Sequence, residues 1–291
     1  MFPLGVKDHP EFYDWMNQLH LDFFQISEAR FNCHSRNRMP FNRIFAVVSA
    51  GKRLSRLFSH SDNTELWMKP GSINFISCLT DLEFEFHDDT RFFAFHFNIQ
   101  AGQRDLFAEK TLLLQRGGRM ETVRRLKDCF AADMPDPRSL WTMESILCNE
   151  IAFFLPSDGR MVIIDSERWK KVFEYIHEKA DASTSIADLA AIYQDTADRF
   201  SRIFSREFHI TAKHYLEMEL VRRAGKQLLL SSKTVKEIAD EMKFSDEYYF
   251  SRFFRKNTGV APGQYRRQNR LLSGGSSQSG DEGFRRGSQK R

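Results

Sequence analysis

Two short stretches of this chain carry side chains from which base-edge chemistry can be built. Phe200-Ser-Arg-Ile-Phe204 recurs as Phe250-Ser-Arg-Phe-Phe254, fifty residues further on. An arginine offers paired N–H donors that match guanine O6 and N7, and a nearby serine or tyrosine can sort a neighbouring base or reach a phosphate. At helical spacing Phe200, Ile203 and Phe204 share one face, while Asp198, Ser201 and Arg202 share the opposite one. Phe250, Phe253 and Phe254 repeat that apolar face, opposed by Glu247, Tyr248, Ser251 and Arg252. Those seven polar residues are the candidate base readers. Arg199, Arg206, Arg255 and Lys256 are the candidate phosphate contacts, which fix register without reading sequence. Asp198 and Glu247 would repel phosphate, so their use in a groove is to accept from cytosine N4 or to orient an arginine. A polar helix face is most often only a solvated face. The repetition in matching context sets this pair apart.

The surrounding elements repeat as well. Ile186-Ala-Asp-Leu-Ala190 is answered by Val235-Lys-Glu-Ile-Ala239 at an offset of 49, and Tyr215 by Tyr265 at 50. One residue is gained where a turn between two helices falls. Each copy therefore reads as a helix-turn-helix, with Thr196 and Ser245 as candidate N-caps of the second helices. Lys213–Leu230 reads as one long helix joining the copies. Two recognition helices held in this way would enter successive major grooves roughly 34 Å apart.

At this level of detail the C-terminal part resembles the AraC/XylS transcription regulators over roughly 100 residues. Ala239, Phe244, Ser245, Phe250, Arg252, Phe254, Gly259, Pro262, Tyr265 and Arg266 match that family's signature, and the linking helix carries Arg222, Ala224 and Leu228-Leu229 as the family's does. Three positions depart: Lys243 and His209 stand where glycine is common, and Ala212 replaces a common proline. Left-handed backbone angles at Lys243 and His209 would each cost about 1 kcal/mol relative to glycine. The first unit is accordingly expected to be the weaker base reader. The resemblance implies double-stranded promoter DNA as partner, an activator that contacts RNA polymerase, and a small-molecule effector, a sugar by analogy.

The N-terminal half reads as strands. Phe45–Ser49, Ser72–Ser77, Leu82–Phe86 and the alternation Phe93, Phe95, Phe97 are short apolar or alternating runs separated by turns such as Pro70-Gly71. From about Arg119 the period becomes helical: Val123, Leu126, Cys129 and Phe130 form one stripe, Met143, Ile146, Leu147 and Phe154 another. The Gly51 turn, the Pro70-Gly71 turn and the strand ending His96-Phe97 resemble that family's cupin-type sensor domain. Trp67, Phe84, Phe95 and His96 are candidates to line its ligand pocket. The two closely spaced histidines of a metal cupin are missing, so neither a metal nor another cofactor is expected, and no catalytic constellation is visible.

Charge divides along the same line. Residues 1–165 are net acidic and 166–272 net basic, so the second half is the one suited to a polyanion. No apolar run approaches the ~18 residues that span a bilayer, the N-terminus lacks a signal-peptide core, and the four cysteines are scattered. A cytoplasmic protein without membrane contact is expected. The fold class is α+β: a cupin-like β-barrel with two trailing helices over 1–165, for ligand sensing and homodimerisation. An all-α DNA-binding domain with two helix-turn-helix units follows over 166–272, then a disordered Gly/Ser-rich tail over 273–291. The rival reading is a cupin-type small-molecule enzyme with an attached helical module.

Overall fold

A computed structural model describes residues 19–101, 104–107, 111–130, 136–155, 167–208 and 210–272. The boundary stretch 156–165, His209 and the tail 273–291 lie outside the described residues. Among the described residues ten strands come first: β1 (Leu19–Ala29), β2 (Cys33–Arg38), β3 (Asn42–Ser49), β4 (Arg56–Ser59), β5 (Thr64–Trp67), β6 (Ile73–Ile76), β7 (Asp81–Phe86), β8 (Arg91–Ala101), β9 (Arg104–Asp105) and β10 (Leu113–Arg116). They form two antiparallel sheets, one ordered β1-β8-β3-β6-β10 with β9 beside β8, the other β2-β7-β4-β5.

Parity along the strands decides what each face meets. Phe45 and Val47 of β3, with Phe92 and Ala94 of β8, point between the sheets and pack with Leu57, Leu82, Phe84 and Phe86. Ile44 and Ala46, with Phe93, Phe95 and Phe97, point outward under α1 (Met120–Phe130) and α2 (Pro137–Phe154). The outer face of the first sheet is therefore dry, which explains why β3 reads as a continuous apolar run. Both helical stripes meet it: Val123, Leu126 and Cys129 from α1, Met143, Ile146, Leu147, Ile151 and Phe154 from α2. Two of the expected pocket residues are corrected by this parity. Phe95 faces the helices, and Trp67 sits on the outer face of β5 with 42% of its surface exposed.

Seven helices follow among the described residues: α3 (Glu167–Glu178), α4 (Ile186–Tyr193), α5 (Ala197–Phe208), α6 (Ala212–Leu230), α7 (Val235–Glu241), α8 (Glu247–Thr258) and α9 (Pro262–Leu272). Their core is largely aromatic, with Trp169, Phe173, Phe200, Phe204, Phe208 and Tyr215 around the first unit and Phe244, Phe250, Phe254 and Tyr265 around the second. Met39 and Phe41, from the link between β2 and β3, are buried in this same core. Phe41 lies 4.9 Å from Phe24 and 6.4 Å from Tyr265, ring centre to ring centre. Gly225 on α6 permits the approach, because a Cβ there would lie 3.2 Å from Pro40 Cγ and 2.8 Å from the Tyr265 hydroxyl. Lys226 pairs with Asp22 at 2.8 Å, closing the joint at its rim. The sheet domain thus docks on α6 and the second helix-turn-helix unit.

Candidate nucleic-acid interface

Both units are built by the same local devices. Ser185 and Thr234 each form a capping box, with Asp188 and Glu237 respectively, at the start of α4 and α7. The turns that follow pass through left-handed residues at matching positions, Gln194 (φ 62°) and Lys243 (φ 54°). Lys243 therefore adopts the conformation that its glycine-favouring position implies. Thr196 caps α5, its hydroxyl accepting from Arg199 N–H at 3.4 Å. In the second unit the cap is Asp246 rather than Ser245: the Asp246 carboxylate accepts from Tyr249 N–H at 2.6 Å, and the Ser245 hydroxyl donates to Asp246 instead. A carboxylate is the better acceptor at a helix N-terminus, where the dipole favours negative charge.

Phe200 and Phe204, and likewise Phe250 and Phe254, are fully buried. The opposite faces of α5 and α8 remain open to solvent. Asp198 and Arg202 are exposed on α5, and Ser201 is half-buried with its hydroxyl donating to Ala197 O at 2.8 Å. On α8, Tyr248 is 73% exposed, Arg252 is exposed, and Glu247 and Ser251 are half-buried. Glu241, at the end of α7, pairs with Lys233 at 2.6 Å. No ion pair among the described residues holds Arg202 or Arg252. Arg199 is partly engaged by Asp195 at 3.3 Å and Arg206 by Glu207 at 3.6 Å. Arg255 is exposed, while Lys256 and Asn257 border a cleft of about 510 Å³ against Arg38 and Asp81 of the sheet domain.

The signature residues beyond α8 have structural work. Gly259 takes φ 82° and ends α8, its N–H donating to Arg255 O at 2.8 Å. Pro262 opens α9. Tyr265 packs edge-on against Phe254 at 5.0 Å. Arg266 donates to Leu228 O at 3.0 Å and to Lys233 O, closing the C-terminal end of α6.

Where the sheet domain meets α9, a polar row crosses the inner face of the first sheet. Gln25, His96 and Arg43 are directly paired neighbours on β1, β8 and β3. Arg43 is 2% exposed; it donates to Asn37 Oδ1 at 3.3 Å, and its Nε and second terminal nitrogen have no partner among the described residues. Burial without a carboxylate pulls its pKa down to about 9. His96 bonds Gln25 through Nδ1 at 2.9 Å, and its Nε2 has no partner among the described residues. Burial, and then the Arg43 charge, drive its pKa to about 3. Of the expected pocket residues, then, His96 joins this row and Phe84 lies in the packed core between the sheets. Arg43 and Gln25 escaped the sequence reading. The available signal was register: Arg43 shares the inward parity of Phe45 and Val47. Among the described residues no group of three His, Cys, Asp or Glu could hold a metal ion, and no helix is long and apolar enough to cross a membrane.

This is the architecture of a two-headed helix-turn-helix protein carrying an antiparallel sheet domain. A family profile described as a helix-turn-helix domain matches residues 189–268. The Tn10 TetD protein of Escherichia coli is 31% identical over 98 residues, covering 34% of this chain and 71% of TetD. The arabinose operon regulatory protein of E. coli is 26% identical over 143 residues, covering 49% of this chain and 45% of that protein. Crystalline ToxT of Vibrio cholerae O395 superposes over 89% of this chain and 99% of its own, with a TM-score of 0.58 and 12% identity, a likeness of fold. The chain belongs to the AraC/XylS family of transcription regulators. It spans only 13% of YtdP and 35% of YfiF, two Bacillus subtilis regulators with which it is 27% identical over 101 and 111 residues.

Proposed function

We propose that this protein regulates transcription by binding promoter DNA with α5 and α8 in successive major grooves. The observation that carries the reading is the pair of capped units, each presenting an exposed arginine, Arg202 or Arg252, that no ion pair among the described residues holds, on the open face of its second helix. Both arginines have the reach for guanine, worth about 1–3 kcal/mol of discrimination each. Selection from a randomised duplex pool at physiological salt is expected to enrich two short boxes about one helical turn apart. Arg202→Ala is expected to relax one box and Arg252→Ala the other. Affinity that merely fades with salt, without an enriched sequence, would defeat the proposal.

The effector reading follows from the buried row. An uncompensated guanidinium beside an open imidazole nitrogen favours an anionic head over the sugar suggested by family analogy. Structures of ToxT have been solved with an unsaturated fatty acid and with (E)-4-(8-methylnaphthalen-1-yl)but-3-enoic acid, both carboxylic acids. Oleate is expected to raise the melting temperature of the wild type, oleyl alcohol to do so less, and Arg43→Met to abolish the difference. Equal shifts with both probes would remove the anionic anchor. Homodimerisation is assigned to α2, where Trp141 stands 73% exposed; sedimentation of Trp141→Glu as a monomer beside a wild-type dimer tests it.

A further inference from the structure

The turn of the second unit is tied to the first unit by more than the helix that joins them. Lys243 holds φ 54°, a conformation that glycine reaches freely and a lysine only against its own Cβ. Its Nζ lies 2.8 Å from Asp181 Oδ2, in the segment leading from α3 into α4. Asp181 is fixed in turn: its other oxygen accepts from Ser183 N–H at 2.9 Å and the Ser183 hydroxyl at 2.5 Å, and its own N–H donates to Thr184 Oγ1 at 3.0 Å. One residue on, Ala182 N–H donates to Met242 O at 2.9 Å. Behind this segment Arg223 of α6 donates to the carbonyls of Ile176 at 3.0 Å, His177 at 2.8 Å and Ala180, closing the end of α3. A second strut therefore runs beside α6, from the end of α3 to the α7–α8 turn.

We propose that this strut sets the geometry between the two recognition helices, and that Lys243 and Asp181 are positioning residues that fix the spacing of the two DNA boxes. The proposal rests on the two-box reading above. Helix α8 begins four residues after Lys243, so any displacement of the turn displaces the end of α8 that carries Glu247, Tyr248 and Ser251. Inserting one base pair between the boxes moves one of them by about 3.4 Å and turns it about 35° around the duplex. A joint hinged on α6 alone could follow that change; a joint braced at the turn resists it. Glycine would relieve the left-handed backbone at this position but could not make the ion pair to Asp181.

The test uses the full chain on the selected duplex and on versions with one base pair added or removed between the boxes. The wild type is expected to lose about thirtyfold in affinity on either altered duplex, the scale of a mismatched site. Asp181→Asn, Lys243→Met and Lys243→Gly are expected to recover about two- to fivefold of that loss, the range an exposed ion pair covers. The exchange Asp181→Lys with Lys243→Asp is expected to restore the wild-type ratio. Lys243→Gly is relieved of its backbone strain and is expected to melt no lower than the wild type, which separates lost positioning from lost folding. Equal spacing penalties in all proteins overturn the strut. So does a uniform weakening on every duplex, which would make Lys243 a phosphate contact.

A second readout needs no DNA, so it keeps failure of the strut distinct from failure of the DNA-binding reading. Nitroxide labels at positions 206 and 255, with the accessible Cys33 and Cys148 replaced, report the distance between α5 and α8. The wild-type distribution is expected to be narrow and those of Asp181→Asn and Lys243→Gly broader. Unchanged widths overturn the proposal whatever sequence the protein selects.

Discussion

A single side chain in this protein is defined as much by what it lacks as by what it touches. Tyr248 lies almost bare on α8, so Tyr248→Ala is expected to leave stability within about 0.5 kcal/mol of wild type while altering one selected box. A fall in stability well beyond that would place its ring in the core. His96 is the opposite case, sealed in the sheet domain and neutral, with a pKa near 3. The folded state binds fewer protons there than the unfolded chain, whose histidine titrates near 6.5. Its contribution is complete above pH 6.5 and is lost as pH falls from there toward 3, by about 1.4 kcal/mol per unit. Denaturant titrations at pH 7, 6 and 5 are expected to show that decline in wild type and a shallower one in His96→Gln. Parallel curves would assign the pH dependence to other groups.

Among the elements, α2 and α8 show how one buried or capping group holds a helix. Glu150 of α2 is fully buried and answers two arginines, Arg116 at 3.0 Å and Arg119 at 2.5 Å. Removing it would strand two guanidinium groups at the interface of helix and sheet. Glu150→Ala is expected to cost about 3–5 kcal/mol in chemical denaturation; a cost below 1 kcal/mol would mean that water replaces the carboxylate. For α8, Asp246→Ala is expected to cost about 0.5–2 kcal/mol and Ser245→Ala much less, because the carboxylate holds the first-turn N–H. The reverse order would restore Ser245 as the cap.

Across the whole molecule, the sheet domain is joined to the helical domain through Phe41, which belongs to the helical core although it lies between two strands. The second unit, beside Phe41 and Tyr265, is the one in contact with the sheet domain, while the first is braced by α3. Phe41→Ala is expected to cost about 3–5 kcal/mol and to split one calorimetric transition into two, as the domains lose their shared core. A single cooperative transition at lower temperature would show that the remaining rim contacts suffice.

The two helix-turn-helix units were legible in the sequence because their information is local. Apolar residues at three- and four-residue spacing, cap residues and the repeated Phe-Ser-Arg motif each act within one or two turns of helix, and Lys243 betrayed its left-handed turn by standing where glycine is common. The strands from Leu82 to Phe97 were legible for the same reason, since alternation is a property of neighbours. β1 and β2 were not. Leu19–Ala29 and Cys33–Arg38 mix charge with apolar residues, and only pairing with β8 and β7 makes them strands. Alternation also left open which face of the first sheet would be covered, so Phe95 and Trp67 were placed facing inward. The docking of α1 and α2 decided that question by drying the outer face. The buried Gln25–His96–Arg43 row and the Asp181–Lys243 strut join residues between 53 and 71 positions apart. No periodicity extends over such a separation, so only the packed chain could bring those polar side chains together.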